Sequence, residues 1–351
     1  MLGLTIEKSI LTSFLGALVC GSVAFAAPKS PGDRAQDAAG DYTKAPNRYV
    51  EVKGVRYAYR TLGRSNNKTP LVLLQHFTGT MDDWDQALIE GLAKSRQVYV
   101  FDQAGIGASG GTTPDTIAPM TKTAEDIIDA LQLKKVDLLG FSMGGFIAQQ
   151  IAVDRPGQVR KVILVGTGPQ GGEGIKNLLI VLADATKISK EKNVPLRVVL
   201  FYSTSGEGEA AGLQAMKRIH NHSVDPEPTI SNESMQAQAK SIVVWGSTPS
   251  NLHDLSAVKA PVLVVNGSND IMIPTMNSYA LFQAFPAAQL SLAGGTGGDS
   301  HFLFDQANIP LRSVVAIAAP TGREDSSPES ARTRGTTPSK DEYSHQSGVP
   351  V

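Results

Sequence analysis

The sequence is poor in cysteine, with Cys20 as the only one in 351 residues. Cys20 lies in an apolar N-terminal segment, so removal of that segment would leave neither a disulfide nor a cysteine nucleophile. The sequence also lacks zinc-type Cys/His spacing and a Walker-type phosphate loop. Its formal net charge of −1 argues against nucleic-acid binding, because neutralising phosphates requires a basic surface. We therefore expect no metal, no cofactor and no nucleic-acid partner.

The N-terminus differs in kind from the rest of the chain. Lys8 precedes an apolar run from Ile10 to Phe25, and Ala24-Phe25-Ala26 forms a small-x-small cleavage pattern. This pattern is typical of a secretory signal peptide, which we predict over residues 1–27. The prediction implies a secreted or periplasmic protein without stable membrane insertion after cleavage. An uncleaved membrane anchor is the alternative, although Ser and Gly residues make the span marginal.

Two further segments are predicted to lie outside the folded domain. Residues 28–47 are rich in Pro, Gly, Asp and Lys, which indicates a flexible lead-in. Residues 321–351 are rich in Ser, Thr, Pro and Gly and contain almost no apolar residues. Such a segment cannot bury enough surface to offset the entropy of ordering, so we predict a disordered tail.

Between these tails, short apolar runs alternate with helical patterns. Tyr49–Val52 and Val55–Arg60 alternate around Lys53-Gly54, which predicts a hairpin at a sheet edge. Continuous apolar runs, typical of strands buried on both faces, occur at Leu71–Gln75, Val98–Phe101, Val136–Phe141, Val162–Val165 and Val262–Val265. Helical patterns separate the early runs, at Asp83–Ser95, Thr121–Leu133 and Ser142–Val153. The alternation predicts an α/β fold with a mostly parallel central sheet and helices on both faces.

From Gly171 to Ser250 the alternation stops and the patterns are helical, at Ile175–Lys187, Pro195–Phe201, Gly212–Asn221 and Ser231–Trp245. We predict an inserted helical cap over 171–250, flanked by two parts of the α/β core, 48–170 and 251–320. Five side chains of this segment are candidates either for lining an apolar pocket or for packing inside the cap. They are Phe201, Tyr202, Met216, Met235 and Trp245.

The stretch Gly140-Phe141-Ser142-Met143-Gly144-Gly145 fits the G-x-S-x-G pattern of a nucleophile elbow. An apolar strand pattern leads into it and a helical pattern follows it, which is the context that the motif requires. The tight turn forces the serine into a strained backbone conformation and leaves room only for small neighbours. The helix start then favours developing negative charge near the hydroxyl. We therefore predict that Ser142 is a nucleophile.

Several stretches in their chain order resemble the α/β-hydrolase superfamily. They are Leu73–Gly79, Phe101–Ser109, Gly140–Gly145, Pro261–Asp270 and Asp299–Phe304. The resemblance is greatest to the helical-capped branch that includes non-haem haloperoxidases, esterases, lactonases and C–C bond hydrolases, and it covers roughly 48–318.

The resemblance implies a catalytic triad in the chain order Ser, acid, His. Asp270 follows the apolar run Val262–Val265 after a short turn, where the family places its acid. Asp254 and Glu173 are the competing acids. His301 follows the strand-like stretch Ala288–Leu292, where the family places its base, although Ser300 and Phe302 flank it where Gly is usual. The remaining histidines fit the family pattern less well, and they are His76, His220, His222, His253 and His345.

The same resemblance implies an oxyanion hole of two backbone N–H groups, since the charge on the tetrahedral intermediate needs donors. One donor would be Met143, after the nucleophile. The other would be Phe77, with Thr78 as an alternative one residue along. The expected function is a serine hydrolase acting on a small to medium ester, lactone or thioester. The alternatives are a cofactor-free haloperoxidase or perhydrolase, and a non-enzymatic ligand-binding homologue. Oligomeric state is not predicted.

Overall fold

The computed structural model describes residues 40–65, 67–202, 206–219, 221–250 and 252–293. The predicted signal peptide, His301 and the predicted C-terminal tail lie outside these residues, so those predictions stand as they were made.

The described strands form one eight-stranded sheet in the order β1-β2-β4-β3-β5-β6-β7-β8. The strands are β1 Arg48–Val52, β2 Val55–Leu62, β3 Leu71–Leu74, β4 Val98–Phe101, β5 Val136–Phe141, β6 Val159–Val165, β7 Val262–Gly267 and β8 Ala288–Ala293. The pairs β1–β2 and β2–β4 are antiparallel, and the other pairs are parallel. The predicted edge hairpin and the mostly parallel sheet are confirmed.

Nine α-helices lie within the described residues. They are α1 Gln86–Ala93, α2 Ile117–Ala130, α3 Met143–Asp154, α4 Leu178–Lys192, α5 Leu196–Phe201, α6 Gly206–Arg218, α7 Asn232–Ser247, α8 Leu252–Ser256 and α9 Met276–Ala284. Helices α8 and α9 were not predicted from the sequence. Helix α2 was predicted to start at Thr121 but begins at Ile117, before Pro119. A proline is tolerated there because the N–H that it lacks would have no intrahelical acceptor in the first turn.

The sheet is buried on both faces, which explains why its central strands are continuous apolar runs. Alternate residues of one strand, such as Leu138 and Leu139 on β5, belong to opposite core layers. The layer containing Leu138 packs against α2 and α3, and the layer containing Leu139 packs against α1. The carboxyl ends of β3, β5, β6 and β7 therefore meet at one edge of the sheet, where open α/β sheets place their sites.

The described residues between β6 and β7 contain helices and no strand, in agreement with the predicted helical insertion. A buried ionic cluster fixes the segment 221–231, which joins α6 to α7, against the sheet. Arg60 on β2 pairs through Nη1 with Asp82 Oδ1 at 2.6 Å and through Nη2 with Glu227 Oε1 at 3.1 Å. Ala108 N donates to Glu227 Oε2 at 2.6 Å. The insertion is thus bound to the core by charges that are largely inaccessible to water.

The last residues of the predicted flexible lead-in are packed against this same cluster. Tyr42 is buried and donates to the Met81 carbonyl at 2.7 Å, and Asn47 Nδ2 donates to Glu227 Oε1 at 2.7 Å. The expectation of flexibility was therefore wrong for residues 42–47. Burial of the Tyr42 ring and these hydrogen bonds outweigh the polar composition of the segment.

Candidate active site

Ser142 lies at the turn between β5 and α3, with φ 52° and ψ −118°. Such a conformation costs about 1–3 kcal/mol for a residue other than glycine, so the surroundings must enforce it. A Cβ on Gly144 would lie 2.0 Å from the Leu74 carbonyl oxygen, and one on Gly140 would lie 2.5 Å from the Gly144 carbonyl oxygen. The glycines of the motif are therefore required by close contact with neighbouring backbone.

Hydrogen bonds hold the elbow to the end of β6. Ser142 N donates to the Val165 carbonyl at 2.9 Å, and Thr167 Oγ1 donates to the Ser142 carbonyl at 2.8 Å. Gly145 N also donates to the Ser142 carbonyl, at 2.8 Å. The backbone of Ser142 is thus fixed on both sides.

Ser142 lines a cavity of about 310 Å³ beneath the helical insertion. Asp270 and Phe77 line the same cavity, so the structure brings together three of the predicted site residues. Met143 is buried directly after Ser142, and His301 is not among the described residues. Polar and charged side chains at the cavity wall include His76, Thr78, Thr186, Ser189, Lys190 and Arg197.

Asp270 follows β7 and is almost fully buried. Its Oδ1 accepts hydrogen bonds from Met272 N at 2.8 Å and Ile273 N at 2.9 Å. Burial raises the pKa of Asp270 to about 7, although these two N–H groups oppose the rise. A Cβ on Gly166 would lie 3.7 Å from Asp270 Oδ2. A carboxylate desolvated in this way would strongly favour a positively charged neighbour, which is the role of the acid in a triad.

The loop after β3, residues 75–80, is held by its own side chains. Gln75 Oε1 accepts from His76 N and Gln75 Nε2 donates to the Thr80 carbonyl, both at 2.9 Å. His76 Nδ1 donates to the Phe77 carbonyl at 2.6 Å, because a carbonyl oxygen can only accept. His76 therefore stabilises the loop through this hydrogen bond.

The two alternatives for the second oxyanion donor differ in the structure. Thr78 has φ 60° and its N–H donates to Gln238 Oε1 at 2.8 Å. The N–H groups of Phe77 and Met143 have no acceptor among the described residues. Phe77 N–H and Met143 N–H are therefore available to a ligand, whereas Thr78 N–H is already bonded.

The competing residues lie elsewhere. Asp254 and Glu173 are exposed and do not line the cavity. His222 belongs to the ionic cluster, where Nε2 donates to the Ala45 carbonyl at 3.0 Å, and His253 is exposed on α8. His220 and His345 fall outside the described residues.

The apolar residues that line the cavity differ from the five candidates identified in the sequence. Phe201 lines it, but Tyr202, Met216, Met235 and Trp245 do not. Trp245 instead stacks on Phe146, with ring centroids 5.1 Å apart. Leu182, Leu196, Leu200 and Met272 form the wall. Nothing in the sequence distinguishes these residues from other apolar residues of the same helices.

Among the described residues, no group of His, Cys, Asp and Glu side chains could hold a metal ion. Within the same residues, no helix is long and apolar enough to cross a membrane.

Comparisons with known proteins agree with this arrangement. The family described as alpha/beta hydrolase fold matches residues 69–305. A solved structure, the alpha/beta hydrolase fold protein from Chitinophaga pinensis, is 37% identical and superposes with a TM-score of 0.71, covering 79% of this chain and 98% of that one. The serine hydrolase BPHL of Mus musculus is 26% identical over 69% of this chain and 77% of its own. A proline iminopeptidase of Lactobacillus crispatus is 29% identical over 63% and 81%. The strand order, the elbow at Ser142 and these matches together show that the chain belongs to the α/β-hydrolase fold family.

Proposed function

We propose that this hydrolase cleaves a small to medium ester, lactone or thioester through an acyl-enzyme on Ser142. The observation that carries the proposal is the enforced elbow conformation of Ser142 at a cavity that Asp270 and Phe77 also line. A strained serine backbone is retained where function requires it, because a relaxed turn would cost less. The relative named as a serine hydrolase supports the same assignment.

In the proposed reaction, Ser142 Oγ attacks the substrate carbonyl carbon while His301 accepts the hydroxyl proton. Asp270 orients His301 and stabilises its positive charge. The carbonyl oxygen becomes an oxyanion and accepts hydrogen bonds from Phe77 N–H and Met143 N–H. Collapse breaks the bond to the leaving group, which takes the proton from His301. Water, deprotonated by His301, then attacks the acyl-enzyme and releases the acid and the free Ser142 hydroxyl.

The size and lining of the cavity support a modest acyl group. Its volume of about 310 Å³ lies at the lower end of the range of roughly 300–1,000 Å³ that is typical of small-molecule sites. Leucine and phenylalanine side chains form one wall, which suits an apolar chain.

A fluorophosphonate probe and a series of p-nitrophenyl esters of increasing acyl length test the proposal. We expect the probe to label the wild type, and Ser142→Ala to lose both labelling and hydrolysis without unfolding. Ser278→Ala is a matched control, because Ser278 is a fully buried serine on α9 that does not line the cavity. Retained hydrolysis in Ser142→Ala would refute the triad. An unlabelled wild type would favour the ligand-binding alternative, and peracid formation exceeding hydrolysis would favour the perhydrolase.

A further inference from the structure

One turn of helix α7 contacts Met143, one of the two proposed oxyanion donors, and Thr78, the neighbour of the other donor. Gln238 on α7 is buried and accepts a hydrogen bond on Oε1 from Thr78 N at 2.8 Å. Three residues further along the helix, Ser241 Oγ lies 3.8 Å from Met143 Sδ. Ser241 is fixed there by donating to the Gln238 carbonyl at 2.7 Å. The helical insertion thus touches the loop after β3 and the residue after the nucleophile at the same place.

The bond from Thr78 to Gln238 supports an uncommon backbone conformation. Thr78 has φ 60°, in the left-handed region that a β-branched residue rarely adopts. With this φ, the Thr78 N–H is directed at Gln238 and is not available to the cavity. Without Gln238 Oε1, this N–H would lose its acceptor in a part-buried setting and the loop would gain by relaxing.

We propose that Gln238 is a positioning residue for the proposed hydrolase: by holding Thr78 in its left-handed conformation, it sets Phe77 N–H as the second oxyanion donor. The inference rests on the proposed function and adds to it a role for the insertion in the chemical step. Within the described residues Gln238 forms no hydrogen bond to the nucleophile or the acid, so it acts through the loop.

Replacing Gln238 should weaken stabilisation of the transition state and not binding of the substrate. The oxyanion carries full charge only after Ser142 attacks, so a displaced donor lowers kcat and leaves ground-state binding almost unchanged. Deleting one oxyanion donor costs about 10²–10³-fold in kcat. A displaced donor should cost less, and we expect roughly 10–100-fold for Gln238→Met with KM changed by less than about threefold.

The experiment compares full-length wild type, Gln238→Met and Ser234→Ala. Methionine keeps the length of glutamine and removes the strong acceptor. Ser234 is the control on the same helix, one turn before Gln238, where it donates to the Gly105 carbonyl at 2.9 Å and not to the loop after β3. The measurements are kcat and KM on one p-nitrophenyl ester, inhibition by phenylboronic acid, and the thermal midpoint. Phenylboronic acid forms a tetrahedral adduct on serine, so its affinity reports on the oxyanion donors.

In Gln238→Met we expect kcat/KM and the affinity for phenylboronic acid to fall by similar factors. In Ser234→Ala we expect kcat/KM and this affinity to stay near the wild-type values, even if the thermal midpoint of the variant falls. A kcat for Gln238→Met within threefold of wild type would overturn the inference. A loss in both variants that follows their thermal midpoints would also overturn it, because the role would then be only structural. A wild type that neither reacts with fluorophosphonate nor hydrolyses esters would refute the proposed function itself, and the inference with it.

Discussion

The buried carboxyl of Asp102 offers a sharp test of how the insertion is held to the sheet. Asp102 follows β4, and its Oδ1 accepts from Met81 N at 2.8 Å. Its Oδ2 lies beside the Glu227 carboxylate, and Gly107 passes both groups. A Cβ added to Gly107 would lie 2.1 Å from Asp102 Oδ2 and 2.5 Å from Glu227 Oε2, so both oxygens lie close to the same point. Two carboxylate oxygens cannot hydrogen-bond to each other unless one of them carries a proton.

Burial and the adjacent Glu227 carboxylate raise the pKa of Asp102 well above its ordinary value, although Met81 N–H and Arg60 oppose the rise. We therefore expect Asp102 to hold a proton to a higher pH than an exposed aspartate does, and to share it with the Glu227 carboxylate. Glu227 remains the acceptor for Arg60, Asn47 and Ala108.

The raised pKa fixes the sign of the pH dependence. In the folded state the Asp102 carboxyl keeps a proton that it releases above a pH of about 4 in the unfolded chain. The stabilisation is complete below that pH and is lost as the pH rises towards the folded-state pKa. The loss is about 1 kcal/mol of unfolding free energy per pH unit, reduced by any relaxation around the site.

The substitution Asp102→Asn mimics the protonated acid, because its Oδ1 can accept from Met81 and its Nδ2 can donate to Glu227. From pH 5 upwards, we expect the variant to gain on the wild type by up to about 1 kcal/mol for each unit of pH, until the folded-state pKa of Asp102 is passed. Urea unfolding at several pH values, followed by the fluorescence of the two tryptophans, measures the difference, since Trp84 and Trp245 are both buried.

Asp137→Asn is a control that should change the unfolding free energy in the opposite direction. Asp137 on β5 is ion-paired with Arg96 and Arg160, so its loss leaves buried positive charge without a partner. We expect a destabilisation of about 3–5 kcal/mol across this pH range. A difference between Asp102→Asn and wild type that is constant with pH, or that shrinks as the pH rises, would refute the shared proton.

Two further predictions concern the cavity. Because burial raises the pKa of Asp270 to about 7, kcat/KM should increase as the pH rises through 7 and the carboxyl ionises. Asp270→Asn should lower kcat roughly 10³–10⁴-fold. Asp254 is an exposed acid outside the cavity, so Asp254→Asn should leave the pH profile of kcat/KM unchanged. Equal pH profiles for wild type and Asp270→Asn would exclude Asp270 as the acid. Lys190 lines the cavity and has no ion pair among the described residues, so an acyl group that ends in a carboxylate should meet a positive charge there. Lys190→Met should therefore raise KM several-fold for the monoester of a dicarboxylic acid and leave KM for a neutral ester of the same length unchanged. In this variant the ratio of the two KM values should no longer depend on salt concentration. A similar change in KM for both esters would indicate altered packing instead.

Much of the sheet could be predicted from the sequence because a strand buried on both faces leaves a continuous apolar run. Val98–Phe101 and Val136–Phe141 were predicted with the bounds that the structure shows. Helix starts were less accurate, as at Ile117, because the stabilising N-terminal contacts of a helix are compatible with many residues. Residues 42–47 were predicted to be flexible from their polar composition, because no local pattern indicates that Asn47 meets Glu227, about 180 positions away.

The sequence by itself determined the strand–turn–helix context of Ser142, because steric limits on a tight turn leave a local signature of small residues. It also placed Asp270 after an apolar strand. Only the tertiary structure decided that the Thr78 N–H of the loop after β3 is already bonded, because its acceptor, Gln238, lies 160 positions along the chain. It likewise decided which apolar residues line the cavity, and it placed the Asp102 carboxyl beside Glu227. These properties depend on groups that become neighbours only when the helical insertion packs over the sheet, and no local pattern records that contact.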